Sequence, residues 1–378
     1  PGRRAMSVLT FCRLADPFGE PLATIADYTL LDYVLNCTPG AVGVLELTLD
    51  TSFDTSLLRR DGRIGVWRSL NGQAPYLDND AIYLIEAITF RSGSTFVRAY
   101  HATTLMSRRI VAYYAGSAYA DKAAAPADDQ IKAFWRENAG ASIVAADRDG
   151  VETYADISAY VTTQADLGQG ASIAKAAARR VLLDVARELS EASETAGTYL
   201  TFEIAAPTER TLELRTYTGQ RGVDHTADSD NPVILSESRG NLENAALTID
   251  WHDEATWTDA GGSGEKADRR IQTAFSATRA AVSPFARIER FVDMSNVDTD
   301  SALADEADAA LEAARPTIVF TGDLIETPAT TRGVQFDLGD IVTAEDPRTR
   351  QQFDVRLDVI HETIGGGQRR VQVAMRSL

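Results

Sequence analysis

The sequence predicts an α+β, β-rich fold in which two β-domains flank a mixed α/β insertion. Three observations carry this. Apolar and polar residues alternate with a period of two through the first hundred residues and again from Leu200 onward. Helical periodicity is concentrated between those regions. Turn residues, glycine above all, separate the alternating runs at hairpin spacing. The chain has 378 residues, and at about 150 residues per domain it has room for two to three. A chain of that size buries a core without a disulfide scaffold.

The elements follow in order. Leu45, Leu47 and Leu49 alternate with Glu46, Thr48 and Asp50, the signature of a half-buried strand. Arg63–Ser69, with Ile64, Val66 and Trp67, is a second strand. Ile82–Phe90 and Thr95–Ala102 flank Arg91-Ser92-Gly93-Ser94 and read as a hairpin. Short strands at this spacing suggest a sandwich or barrel. Asp128 can cap a helix carrying Ile131, Phe134 and Trp135, with Gly140 past its end. Ser172 is expected to cap a longer helix whose stripe is Ile173, Ala177, Val181, Leu182, Val185 and Leu189. Leu200–Ile204 and Leu212–Leu214 form a second hairpin around a loop containing Pro207. Leu247, Ile249 and Trp251 alternate as a further strand, which predicts that Trp251 packs in the core. Gly261-Gly262-Ser263-Gly264 marks a flexible loop. A helix is expected from Ser301 to Ala314, capped by Asp300 and stopped by Pro316. Strands return at Phe336–Val342, at Phe353–Val359 and at Val371–Met375, the last two joined through Gly365-Gly366-Gly367.

Charge excludes several function classes. Lys plus Arg total 37 against 55 acidic residues, a formal net charge of −18. Phosphate binding needs clustered basic side chains, so the balance argues against a nucleic-acid or anionic-membrane surface. The imbalance is local: residues 224–316 hold 8 basic and 19 acidic residues, whereas 1–104, 105–223 and 317–378 are each within three charges of neutral. No stretch approaches the roughly 18–20 apolar residues of a membrane helix. The Pro1-Gly2-Arg3-Arg4 start turns polar again by Arg13, too soon for a signal peptide. Cys12 and Cys37 have no metal spacing and read as buried free thiols.

The search for chemistry is mostly negative. Gly264-Glu265-Lys266 lacks the glycine that a phosphate loop places before its lysine. There is no G-x-S-x-G elbow and no H-E-x-x-H. His101, His225, His252 and His361 lie far apart. Asp224, His225, Asp228, Asp230 and Asn231 lack the internal glycine of a calcium loop and read as a polar turn. Asp298, Asp300, Asp305, Glu306 and Asp308 flank a helix start, where carboxylates oppose the dipole. These motifs assign no catalytic, cofactor-binding or metal residue and no cofactor, and with 55 acidic residues the sequence neither finds nor excludes a facing pair of carboxylates.

Three segments carry a resemblance: Gly43-Val44-Leu45-Glu46-Leu47-Thr48-Leu49 with the hairpin ending near Tyr100, the helix Asp128–Asn138 that follows it, and Phe336-Asp337-Leu338-Gly339-Asp340-Ile341-Val342 before a Gly-turned hairpin. In element order the chain resembles the tail hub (baseplate hub) proteins of long-tailed bacteriophages and related contractile injection systems. The resemblance implies two β-barrels, residues 1–104 and 224–260 plus 317–378. It implies a mixed insertion at 105–223 and an acidic loop and helical excursion at 261–316. It further implies a structural, non-enzymatic homotrimer forming a pseudo-sixfold ring in the virion tail, assembled in the host cytoplasm. Its partners would be the tail-tube or distal tail protein, the tape-measure protein and tail-tip or fibre proteins. DNA would pass through its lumen without specific binding, and nothing would insert into a membrane. Part of the acidity of residues 224–316 would then face the passage or the tail interior. The chain stops at Leu378 after the last strand, so hydrolysis of cell wall would fall to another protein.

Three other readings fit the same residues. A tail-associated cell-wall hydrolase would draw on Cys12, Cys37 and His101. A receptor- or carbohydrate-binding tip module would expose Trp251, Trp257 and Tyr217. A distal tail ring protein would lack an insertion as large as 105–195.

Overall fold

The computed structural model describes residues 7–148, 155–264, 268–294 and 299–378. Pro1–Arg4, Glu265, Lys266 and Asp298 lie outside them. The chain divides into two compact units: residues 1–194, 198–246 and 320–378 make the first, and 195–197 with 247–319 the second.

The first unit begins with β1 (Val8–Ala15), β2 (Pro21–Ile25), β3 (Leu30–Asn36), β4 (Val44–Asp50), β5 (Arg63–Leu70), β6 (Tyr76–Arg91) and β7 (Ser94–His101), then a single turn, α1 (Thr104–Ser107). It continues through β8 (Ala120–Pro126), α2 (Ala127–Asn138), β9 (Val161–Thr163), β10 (Ser172–Ala177), α3 (Leu182–Thr195), β11 (Leu200–Ala205) and β12 (Leu212–Thr218). After these come β13 (Asp224–His225), β14 (Ile234–Leu235) and β15 (Leu242–Asp250). The second unit holds β16 (Trp257–Gly261), β17 (Ile271–Phe275), α4 (Ala277–Ala280), β18 (Glu289–Asp293) and α5 (Asp300–Ala313). The chain closes with β19 (Thr317–Leu324), β20 (Ile341–Glu345), β21 (Gln352–Gly365) and β22 (Gln368–Ser377).

The main sheet runs in the order β15-β19-β22-β21-β3-β4-β7-β6-β5-β1-β2, with β20 beside β21 and carrying β13 and β14. Strands from the two ends of the sequence thus share one sheet. The seam is the antiparallel pair β3–β21, with Val34 opposite His361 and Asp32 opposite Thr363. Alternation produces the layering: Leu45, Leu47 and Leu49 are buried while Val44, Glu46 and Thr48 are half-buried. The hairpins predicted at 91–94, between β11 and β12, and at Gly365–Gly367 all form.

A second core is built mainly from residues 105–223 and takes in Ile82, Leu84 and Ala102 at the end of the first strands. Phe134 and Trp135 of α2, Val185 and Leu189 of α3, Ile204 of β11 and Leu214 of β12 are fully buried together. The apolar face of α2 is the one its periodicity predicts, and Gly140 lies just past its end.

Four local expectations are corrected. The helix begins at Ala127 behind Pro126, so Asp128 is not its cap but a buried residue of the first turn. Ser172 opens strand β10, and the helix starts only at Leu182. Ile173 and Ala177 are four apart, a spacing that both the helical and the strand period allow, and the β8 partner decides between them. Phe336–Asp340 is a turn rather than strand, and β20 begins at Ile341. Gly339 sits at φ +86°, a conformation that terminates extended chain. At α5 the cap position is Thr299, and Asp300, the first helical residue, pairs with Arg270 at 2.7 Å.

In the second unit β17-β16-β18 form a three-stranded sheet. Helix α5 covers one face of it through Leu303, Ala307 and Leu311, packed with Ala260 and Ala274. Trp251 lies just beyond β15 and is 58% exposed, against the expectation of core packing. The alternation ends at Asp250, whose carboxylate accepts the His252 N–H and turns the chain.

Candidate functional site

The densest chemistry in the first unit is a buried ionic network at the β3–β21 seam. Arg332 arrives from the loop after β19. Its Nη1 and Nη2 each donate to one oxygen of Asp78 at 2.9 Å, a bidentate fork. Nη2 also donates to Glu362 at 2.7 Å, and it approaches the Tyr33 hydroxyl at 3.1 Å. That hydroxyl lies 2.8 Å from Asp78 and 2.9 Å from Glu362. Arg369 donates to Glu362 through Nε at 2.7 Å and also pairs with Glu326. Arg68 stands 3.8 Å from Asp78 and 3.4 Å from Glu326. Arg68, Arg332, Tyr33 and Glu362 are fully buried.

Burial alone would push these carboxyls up. The facing guanidiniums outweigh it: Arg332 and Arg369 hold Glu362 at about 2, and Arg332 with Arg68 lowers Asp78. Tyr33 is pushed well above its usual value, first by burial and then by the two carboxylates. Each of Asp78, Glu326 and Glu362 meets at least one arginine. The network therefore clamps β3, β5, β6, β21, β22 and the loop 325–337 together, and it offers no unengaged nucleophile. An open groove of about 970 Å³ lies alongside. The arginines that reach it are engaged too, Arg369 in the network and Arg370 with Asp323 at 2.8 Å.

A second polar cluster is built on the Leu338-Gly339-Asp340 turn. Asp340 accepts the N–H groups of Val223 and Asp337, each at 2.6 Å. Arg221 donates to the Leu338 carbonyl and to Glu203, both at 2.8 Å. A Cβ on Gly339 would sit 2.9 Å from the Arg221 side chain, so glycine is needed for this approach as well as for its φ. Tyr217 donates to Glu203 at 2.7 Å, which makes it a half-buried partner in this cluster rather than part of an exposed aromatic cluster.

His101 lies nearby, buried, with Nδ1 3.0 Å from Thr103 Oγ1. Burial lowers its pKa below 6.5; Arg221 adds to this and Glu203 opposes it. Between 6.5 and that lowered value the unfolded chain takes up a proton that the folded chain refuses. Stability therefore falls as pH drops through 6.5 toward the folded-state value, by at most about 1.4 kcal/mol per pH unit for one site. Urea midpoints of wild type and His101→Gln compared at pH 7.5 and 5.5 should show a smaller acid loss in the variant. Parallel losses would exclude His101 as the titrating group.

The hydrolase residues do not assemble. Cys12 and Cys37 are free and buried, and burial pushes both thiols up to about 12, where no thiolate nucleophile is present. Asp224 accepts the Thr226 N–H, and His225 Nδ1 lies 2.9 Å from the Asn231 carbonyl, which is the polar turn the sequence suggests. No group of three His, Cys, Asp or Glu among the described residues could hold a metal ion. No helix among them is long and apolar enough to cross a membrane.

The sequence reading passed over Arg68, Asp78, Arg332 and Glu362. A signal existed for two of them. Arg68 falls in phase with the buried Ile64, Val66 and Leu70, and Glu362 falls in phase with Ile360. A charge on the apolar parity of a strand announces a buried partner.

This architecture is that of phage tail proteins. It matches the crystal structure of the prophage MuSo2 43 kDa tail protein from Shewanella oneidensis at TM-score 0.57 and 10% identity, over 98% of both chains. It matches the tail protein from Neisseria meningitidis MC58 at TM-score 0.59 and 12% identity, over 97% of this chain and 96% of that one. Prophage tail protein gp18 from Listeria monocytogenes EGD-e gives 0.53 and 11%, over 97% and 94%. At such identities the likeness speaks of fold. The chain belongs to the Siphovirus ReqiPepy6 Gp37-like protein family, whose model matches residues 92–375. No curated protein matches the sequence.

Proposed function

We propose that this chain is the structural hub of a siphovirus tail: three copies close a pseudo-sixfold ring between the tail tube or distal tail and the tail tip, and DNA passes through it. The observation that carries the reading is the splice at β3–β21. The N-terminal and C-terminal strand groups, proposed as two barrels of residues 1–104 and 224–260 plus 317–378, meet in one sheet that joins β1–β7 to β13–β15 and β19–β22. Its strand path ends in β2 on one side and β15 on the other, one terminus from each group. A chain built of two such halves lets three copies present six β-modules, and a heterologous contact closes a ring when its rotation divides the circle. The buried clamp holds the halves in fixed register, which a ring of repeated modules requires.

The acidity fits the same reading. Asp300, Asp305, Asp308 and Glu312 are exposed along α5. A carboxylate-rich lining repels the duplex instead of gripping it. The tape-measure and tip proteins would be the neighbours on either side, in a virion assembled in the host cytoplasm.

Native mass spectrometry of the chain alone and with the tail-tube or distal tail protein tests this. A trimer, or a ring formed on the partner and seen by negative-stain microscopy, is the expected result. A chain that stays monomeric with both partners, or a folded monomer that releases dye from labelled cell wall, overturns it.

A further inference from the structure

We infer that the bulge at residues 78–81 of β6 is a coupling joint that carries a displacement of the insertion into the buried clamp. The strand register defines the bulge. Gly65 of β5 pairs with Ile82 and Trp67 pairs with Leu77, so four residues of β6 stand opposite the single Val66. A bulge ordinarily adds one residue. Here Asp78, Asn79, Asp80 and Ala81 loop out, and Asn79 and Asp80 both sit at φ +52°. Two successive non-glycine residues in the left-handed region are strained and persist only where their surroundings hold them.

Three parts of the fold hold them. Asp78 turns inward, 1% exposed, and takes the fork of Arg332. Asn79 Nδ2 donates to Asp337 at 2.9 Å. The same carboxylate accepts the Leu338 N–H at 2.8 Å, in the turn that leads to β20. Asp80 faces the insertion with both its backbone and its side chain. Its carbonyl accepts the Ala206 N–H at 2.7 Å, and its carboxylate meets Arg215 at 3.3 Å. The β11–β12 hairpin thus reaches β6 two residues away from the carboxylate at the centre of the clamp.

The joint has little slack. A Cβ on Gly65 would fall 2.9 Å from Leu77 and 3.0 Å from Ile82, so the glycine lets the two feet of the bulge close over it. Ile82 and Leu84, just beyond, are buried in the insertion core. The left-handed region open to a residue with a Cβ is small. Asn79 and Asp80 therefore cannot absorb a shift of the hairpin by rotating within it. The shift passes to Asp78, whose two bonds to Arg332 weaken steeply when misaligned. A load or a partner that displaces β11–β12 loosens the clamp at the β3–β21 seam, although that hairpin belongs to a different sheet. The joint lies within one chain and acts whether or not copies assemble.

Native-state hydrogen exchange of the full chain tests it, with Arg215→Gln and, as control, Arg136→Gln. Arg136 pairs with Asp166 at 2.8 Å within the insertion. The clamp-loop amides of Arg332 and Gly333 donate to Glu326 at 3.1 Å and to Phe336 at 2.8 Å. In Arg215→Gln these two amides and that of Ala206 should each lose about tenfold in protection, while the amides of β4 and β7 keep theirs. Arg136→Gln should leave Arg332 and Gly333 unchanged. A double-mutant cycle in urea adds the energetic readout. Arg215→Gln and Arg332→Lys combined should raise the unfolding constant about fivefold less than the product of the single effects, whereas Arg136→Gln and Arg332→Lys should multiply. Protection lost at Ala206 alone, protection lost evenly across the first unit, or single effects that multiply in the Arg215 cycle would each overturn the joint and leave the hub reading untouched.

Discussion

Replacing Arg332 with methionine should cost about 3–5 kcal/mol of folding stability, the range for removing one partner of a buried ion pair. The cost comes from what stays behind. Of the facing cations Asp78 would keep Arg68, at 3.8 Å, and Glu362 would keep Arg369, with the single Tyr33 hydroxyl shared between the two carboxylates. Both carboxylates are sealed from water that could replace the lost guanidinium. Arg332→Lys should fall between wild type and methionine, because one ammonium cannot reproduce a fork to Asp78 and a third bond to Glu362. Combining Arg332→Met with Asp78→Asn should recover much of the loss, since Arg68 and Arg369 then face Glu326 and Glu362, two cations to two carboxylates. Urea midpoints measure all three, and a loss below about 1 kcal/mol for Arg332→Met would mean that the network is not buried and charged as built. The pH dependence has a definite sign. Glu362 and Asp78 have lowered folded values, so their contribution is present above the unfolded carboxylate range and is lost as pH falls toward about 2. That acid-labile part should largely vanish in the methionine variant.

The legible and illegible parts of this fold separate on physical grounds. Local alternation with a glycine turn is self-contained, so β4, β7, β11 and β12 appear in the sequence almost as they stand, whereas β6, β21 and β22 are found but extend well beyond the residues 82–90, 353–359 and 371–375 that alternate most clearly. The face of α2 is legible for the same reason, since Ile131, Phe134 and Trp135 recur at helical spacing. Illegible are the decisions made by distant partners. Nothing near Ser172 reveals that β8 will claim residues 172–177 as a strand. Nothing near Asp32 reveals that its strand will pair with Thr363, more than three hundred residues on. The clamp is half-legible. Arg68 and Glu362 betray themselves by sitting on apolar parity, but Arg332 lies in a loop, where an arginine carries no such signal. Trp251 shows the opposite failure: alternation continued one residue past the strand it belonged to.

The pair Asp128 and Lys132 should behave as a second clamp, confined to the insertion. Lys132 Nζ stands 3.1 Å from Asp128 with both side chains fully buried, and it donates to the Ala165 carbonyl at 2.9 Å. Asp128 also accepts the N–H of Gln169 at 2.8 Å and of Leu167 at 3.3 Å. The first turn of α2 thus grips the loop that leads into β10. Asp128→Ala strands a buried ammonium and frees two loop amides, and about 3–5 kcal/mol of lost stability is expected. Lys132→Met should cost less, about 1–3 kcal/mol, because the carboxylate keeps its amide donors. Asp128→Asn with Lys132→Met removes both charges and leaves an amide oxygen to accept the loop N–H groups. That double variant should be more stable than the sum of the singles predicts by at least about 1 kcal/mol. Hydrogen exchange adds a readout that a diffuse core defect would not give. The amides of Leu167 and Gln169 should lose protection in Asp128→Ala before those of α3 do, whereas uniform loss across the insertion would assign Asp128 to general packing instead of to this loop.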